Sequence, residues 1–326
     1  MAATATAPLR RRRRFLRVPH ALAPIKEARG LARGMLTVGV LITAFFLVMA
    51  LCARWIAPYG FAQFESNGER FDQLAHPSSQ HLFGTNVQST DVLSRVIWGA
   101  RTEFEVVLLA LVLGLIVGVT LGLISGYIGG WLDRTLVLFM DALFAFPYLL
   151  LAIVIAFLLG GQGVFNAAIA ITVVYIPQYF RVVRNHVIAV REEPYVEAAR
   201  AIGAKRWTIM RKYVFFNVVQ NVPVIGTLNA ADAILTLTAL GFLGYGIQPT
   251  AGAEWGYDIS RSISDASSGI WWTGLFPGLA IVLLVTGLTL LGEGLNETLN
   301  PVLRNRRIEK VELGTPTSIV ESEVGP

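Results

Sequence analysis

A chain of 326 residues that is 54% hydrophobic and only 15% charged, with a mean hydropathy of +0.57, has too little polar surface to cover a soluble globule. Its net charge of +5 lacks the aromatic interleaving of a nucleic-acid binder, and one cysteine, Cys52, excludes an intrachain disulfide or a cysteine-based metal site. The remaining class is an all-α integral membrane protein whose positive charge marks topology and contact with anionic lipid.

The chain opens with a basic segment, residues 1–33, rich in Ala, Pro and Arg, whose Arg10 to Arg14 run belongs at the cytoplasmic leaflet. A transmembrane domain is predicted over 34–304, followed by a tail at 305–326. Six apolar runs are long enough, or nearly so, to cross a core of roughly 30 Å at about 1.5 Å per residue. They are Met35 to Ala53, Phe104 to Ile128, Thr135 to Leu159, Val164 to Tyr179, Phe215 to Gly244 and Leu275 to Leu291. The first is no cleaved signal: it follows a long basic stretch, outlasts an h-region and ends in Arg54-Trp55.

Basic residues gather before the first run, at Arg134, from Arg181 to Lys212 and from Arg304 to Lys310. Only Arg54, Arg70, Arg95, Arg101 and Arg261 fall on the opposite side, which predicts cytoplasmic N- and C-termini. Between the first two runs lies a polar external loop, 58–101, with a turn at Pro77-Ser78-Ser79. The second run carries Gly114, Gly118, Gly122 and Gly126, a bare stripe at four-residue spacing that predicts close helix packing, either within the chain or against a second subunit. In the third run Asp141 lies two turns after Arg134 and reads as a carboxylate bonded to neighbouring helices, with a proton carrier as the alternative.

After the fourth run comes a cytoplasmic loop, 192–213. Glu192-Glu193-Pro194 is a helix start, since proline suits the first helical position and carboxylates suit the positive end of the dipole. Glu197, Ala198, Ala199, Arg200 and Ala201 then form a short helix whose small side chains let a partner reach the backbone, and Gly203 supplies the left-handed turn that closes it. A second basic helix from Lys205, with Trp207, Ile209 and Met210, leads back to the membrane at Phe215.

In the fifth run Asn217, Asn221, Asn229, Asp232 and Thr236 fall within a face of roughly 120° at helical spacing. Polar groups at membrane depth line either a wet cavity or a buried hydrogen-bonded network, so this face is the candidate translocation path. Pro223 is expected to bend it. A second external loop, 247–272, holds Trp255, Trp271 and Trp272, which suit an interfacial belt. The chain has no Gly-rich phosphate loop ending in Lys-Ser or Lys-Thr, no His-Glu-x-x-His and no Gly-x-Ser-x-Gly, and His20, His76, His81 and His186 are scattered. It reads as neither an ATPase nor a hydrolase.

Glu197-Ala198-Ala199 with Gly203, set between long apolar runs, resembles the coupling loop of ABC importer permeases. Further blocks narrow this to the C-type permease of dipeptide, oligopeptide and nickel importers, over about residue 34 to Arg304. These are His81-Leu82-Phe83-Gly84-Thr85, Asp91-Val92-Leu93-Ser94-Arg95, Gly126-Tyr127-Ile128-Gly129-Gly130-Trp131-Leu132-Asp133, Phe146-Pro147, Trp255-Gly256, Phe276-Pro277-Gly278-Leu279-Ala280 and Leu291-Gly292-Glu293-Gly294-Leu295.

The resemblance implies a type I importer permease fold of six transmembrane helices in a bacterial plasma membrane. It also implies a second, homologous permease, two ATP-binding subunits that hold the ATP and Mg, and an external substrate-binding protein; no cofactor is expected on this chain. The implied cargo is a dipeptide or oligopeptide, with nickel, glutathione or haem on the same scaffold as alternatives. An ion-coupled secondary transporter using Asp141, Asp232 and Glu293 is the competing class. Three departures stand out. Asn86, Ser89 and Thr90 replace the family's usual acid, glycine and arginine, Leu237 stands where a glutamate is usual, and Phe216 replaces a proline.

Overall fold

A computed structural model of the chain describes residues 30–160, 163–219 and 222–299. The Arg10 to Arg14 run, the Arg304 to Lys310 group and Asn221 lie outside the described residues. The helices, in order, are α1 (Gly30–Leu51), α2 (Ala53–Ile56), α3 (Val92–Ile128), α4 (Gly130–Ala145), α5 (Tyr148–Leu158), α6 (Val164–Arg191) and α7 (Pro194–Ala201). They continue with α8 (Arg206–Ile209), a π-helical turn (Met210–Val214), α9 (Phe215–Val218), α10 (Val222–Phe242), α11 (Trp255–Ser267) and α12 (Trp272–Leu299). A two-residue hairpin, β1 (Glu65–Ser66) with β2 (Glu69–Arg70), decorates the first loop.

Among the described residues α1, α3, α6, α10 and α12 are each long and apolar enough to cross a membrane. The pair α4 and α5, bent by 96°, makes a sixth span when the two helices are taken as one. The bend falls at Phe146-Pro147, because proline disfavours a helical conformation in the residue before it and cannot donate to the ladder. The third apolar run is therefore two helices, not one rod. Large apolar side chains such as Phe45, Leu108, Ile116 and Val282 remain exposed on the outside of the bundle, where lipid covers them.

The frame is the parallel pair α3 and α6, which pack along each other from Ala110 against Thr172 to Gly126 against Val187. All four glycines of the stripe are buried on α3. A Cβ added at Gly118 would stand 2.5 Å from the Tyr179 Cβ, and one at Gly122 would stand 2.7 Å from the Phe180 carbonyl oxygen. The stripe thus seats α6 of the same chain. Side-chain bonds reinforce the seat: Thr172 Oγ1 lies 3.3 Å from the Ala110 carbonyl of α3.

α3 begins at Val92, well before the apolar run at Phe104, so the polar loop before it ends at Asp91 rather than at residue 101. At about 1.5 Å per residue its 37 residues span about 55 Å, more than the hydrocarbon core. Its polar first turns are sheathed by protein. Asp91 caps the helix, accepting from the Ser94 N–H at 2.8 Å and the Ser94 hydroxyl at 2.7 Å, while His81 Nδ1 sits 2.9 Å from its other oxygen. Arg95, only 2% exposed, donates from Nε to both Asp258 oxygens at 2.8 and 3.0 Å and from Nη1 to the Phe61 carbonyl.

The loop 247–272 contains the helix α11, which packs against α3 and α12 at this end. Trp255 and Trp272 are 0% and 1% exposed, so they do not serve an interfacial belt; only Trp271 stays open. Their indole N–H groups donate to the Val96 and Thr85 carbonyls, both at 3.1 Å, which is why two polar-edged rings are tolerated deep in the packing. Phe83 stacks on Phe276 at 3.8 Å, tying the first loop to α12.

Glu254 caps α11 through the Gly256 and Tyr257 N–H groups, both at 2.7 Å. Complete burial nevertheless pushes its carboxyl up to about 8, and burial raises Asp258 as well, even with Arg95 alongside. A raised folded-state value favours the protonated form. This stabilisation is therefore full below the usual 4.5 and is lost as pH climbs through about 8. Melting temperatures of the purified protein in detergent should fall across that window, and Glu254→Gln should flatten the slope without abolishing it, since Asp258 contributes in the same direction.

Two substitutions probe the packing by the same assay. Gly122→Ala should lower stability by about 2 kcal/mol, because α6 cannot retreat without losing the whole seam. Ser89 has φ +59 and a buried hydroxyl with no hydrogen-bond partner among the described residues. Ser89→Gly should therefore raise stability by about 1 kcal/mol, removing both left-handed strain and a stranded donor.

Candidate functional site

At the opposite end of α3 from Asp91, the chain leaves α6 at Arg191 and forms α7. Glu193 is extended at the N-cap and Pro194 takes the first helical position, as the Glu192-Glu193-Pro194 pattern predicts. The helix closes in a Schellman turn: Ala204 N–H donates to the Ala199 carbonyl at 3.0 Å and Gly203 N–H to the Arg200 carbonyl at 2.9 Å. Gly203 has φ +81, a conformation for which a side chain would be strained.

α7 has two faces. Val196 and Ala199, 0% and 4% exposed, join a small apolar cluster with Val183 and Val187 of α6, Ile209 of α8, Val214 of the π-turn and Val218 of α9. Glu197, Ala198, Arg200 and Ala201 face outward, followed by Ile202 at 83% and Trp207 at 65% exposure. Ala199 therefore belongs to the root of the knob rather than to its open face, because the 3.6-residue period puts it over Val196. Beside the knob a cleft of about 780 Å³ is lined by Tyr127, Arg191, Glu192, Arg200, Arg206 and Trp207, among others.

Charge pairs bind the knob's base to the bundle. Arg184 of α6 grips Asp133 of α4 with two parallel bonds, 2.6 and 2.8 Å, while Ser125 of α3 donates to the same carboxylate at 2.5 Å. Arg181 of α6 donates to Asp141 at 2.7 Å and lies 4.0 Å over the Phe144 ring. Asp141 is thus bonded to a neighbouring helix, its partner being Arg181 rather than the Arg134 two turns behind it.

The polar residues of the fifth run do not stay together. α9 and α10 are separate helices, and Asn217 turns back onto the Tyr213 carbonyl at 2.5 Å. Asn229 and Thr236 are each 1% exposed, Asn229 beside Tyr179 and Thr236 3.1 Å from the Tyr175 hydroxyl. Among those described, Asp232 opens into a cavity, about 600 Å³ in volume, in the crook of the bend between α4 and α5. Phe144, Pro147, Tyr148, Tyr175, Gln178 and Leu235 contribute to its wall. Leu237 is fully buried in the main core.

Sequence reasoning does not reach this cavity wall. Phe146-Pro147 was the available signal, since a proline inside an apolar run marks a break, but residues on α5 and α6 meet there only because the bend turns them together. Among the described residues no group of His, Cys, Asp and Glu side chains is arranged to hold a metal ion.

Residues 118–305 match the family described as binding-protein-dependent transport system inner membrane component. The chain is 38% identical over 287 residues to the dipeptide transport system permease protein DppC of Alkalihalophilus pseudofirmus, covering 87% of this chain and 92% of that protein. It is also similar to two glutathione transport system permease proteins, GsiD of Shigella flexneri serotype 5b and GsiD of Escherichia coli O6:K15:H31. These are 37% and 35% identical over 271 residues, each covering 83% of this chain and 87% of the relative. Bundle, bent span and matched residues agree: the chain belongs to the binding-protein-dependent transport system inner membrane component family, as a multi-pass membrane permease of an ABC importer rather than an enzyme.

Proposed function

We propose that this permease forms half of a path for short peptides across a bacterial plasma membrane, with both termini in the cytoplasm. It works beside a second, homologous permease, receives cargo from an external binding protein, and is driven by two subunits that bind and hydrolyse ATP with Mg. The observation that carries the mechanical part is α7, a short helix with an apolar root and a small-residue face left open. An ATPase subunit grips that face, and the root passes its displacement to α6 and, through the π-turn and α9, towards α10. The basic residues around it, Arg191, Arg200 and Arg206, support a cytoplasmic position for this end, since cytoplasmic loops carry the excess of basic residues.

Peptide cargo is favoured by the relatives named for dipeptide and for glutathione, itself a short peptide. The cavity at the bend between α4 and α5 is of a size that suits small ligands, about 300–1,000 Å³. Asp232, Tyr148, Tyr175 and Gln178 line the path there, while Asn229 and Thr236 support it from behind by holding α10 to α6.

In a complex reconstituted with its ATPase subunits, Ala198→Asp and Ala201→Asp are each expected to lower ATP hydrolysis stimulated by the cargo-loaded binding protein by about tenfold or more, while membrane insertion stays normal. Ala199→Asp should instead lower the yield of folded protein, because it places a charge inside the root. Stimulation equal to the parent in both outward-facing variants would remove α7 from the coupling path.

A further inference from the structure

The cavity beside α10 contains one charged group. Asp232 stands at the middle of a 21-residue span, is exposed to the cavity, and its carboxylate makes no hydrogen bond or ion pair among the described residues. The position of the helix around it is fixed, since Thr236 Oγ1 donates to the Asp232 backbone carbonyl at 2.9 Å and in turn meets the Tyr175 hydroxyl. The nearby cation offers no relief: Arg181 is held by Asp141 at 2.7 Å and stacked on Phe144. Every other residue lining the cavity is neutral, and Phe144, Phe146, Tyr148 and Tyr175 make much of the wall aromatic.

An unpaired carboxylate at membrane depth is kept where it meets a cation during function. Aromatic faces beside it attract the same charge, and they discriminate against anions. We propose that Asp232 is the specificity-determining residue of this cavity and receives a cationic group of the passing cargo, an ammonium. The inference rests on the peptide reading above, because every unblocked peptide carries an α-ammonium and some add a basic side chain. Tyr148 and Gln178 line the same cavity and offer polar atoms to orient the ammonium, and the apolar remainder of the wall accepts whatever side chain follows.

The test uses the complete importer in proteoliposomes, with its binding protein and ATPase subunits, and two probes, trialanine and Ala-Lys-Ala. For Asp232→Asn, initial uptake should fall by about tenfold while ATP hydrolysis stimulated by the binding protein is retained, and Asp232→Glu should recover most of the loss. A fall for both probes assigns the α-ammonium, and a fall for Ala-Lys-Ala alone assigns the basic side chain; either supports the proposal. Parental uptake of both probes by Asp232→Asn overturns it and leaves the peptide reading intact. Joint loss of uptake, stimulated hydrolysis and co-purification of the second permease also overturns it, since Asp232 would then be an assembly contact. If the unsubstituted importer takes up neither probe, the peptide reading itself fails and this inference with it.

Discussion

The close approach of α3 and α6 is the constraint on which the rest depends. In lipid, apolar side chains gain nothing by leaving one hydrocarbon surface for another, so helices associate through packing and hydrogen bonds. Four glycines on one face of α3 let the backbone of α6 come near enough for both, with the Tyr179 and Phe180 region lying directly on the stripe. Because α6 is held so firmly, everything attached to it inherits a fixed position. That includes the root of α7, the Arg184–Asp133 pair that anchors α4, and the Tyr175 hydroxyl that meets α10.

The two ends of this pair are finished in opposite ways. At the Asp91 end, polar side chains are sealed: Arg95, Asp258 and Glu254 are buried and satisfied by one another or by backbone, and two indoles donate inward. Blocks that lie far apart in the chain, around residues 81–95, 254–258 and 272–276, meet there. At the α7 end, apolar packing is thin and basic residues are exposed beside a cleft. A rigid end and a compliant end suit a machine that is pushed from one side only.

Much of this was legible in residue order. The apolar runs mark the spans, the glycine spacing marks the seam, and Glu193-Pro194 with Gly203 marks the short helix and its closing turn. What was hidden depends on partners distant in sequence. Arg95, Thr102 and Glu103 make the start of α3 read as loop, and only Asp258 and the sheath around it explain why they are helical. Trp255 and Trp272 look interfacial until the Val96 and Thr85 carbonyls are found beneath them. The five polar residues of the fifth run share a helical face on paper, yet among those described Asn217 turns onto its own backbone and Asn229 and Thr236 are closed in beside α6, leaving Asp232 to the cavity. Leu237, the position at which the family resemblance implies an acid, is packed in the main core here.

The elbow at Phe146-Pro147 has a mechanical meaning of its own. A straight span tilts as a lever, and any displacement at one tip reappears at the other. Two arms meeting at 96° instead are held by different means: α4 is clamped to α6 by arginine, while α5 packs small side chains, Ala152 and Ala156, into the main core. The hollow inside the crook is thus walled by two arms fixed to the same frame, so its shape follows from the angle of the elbow rather than from the length of either arm.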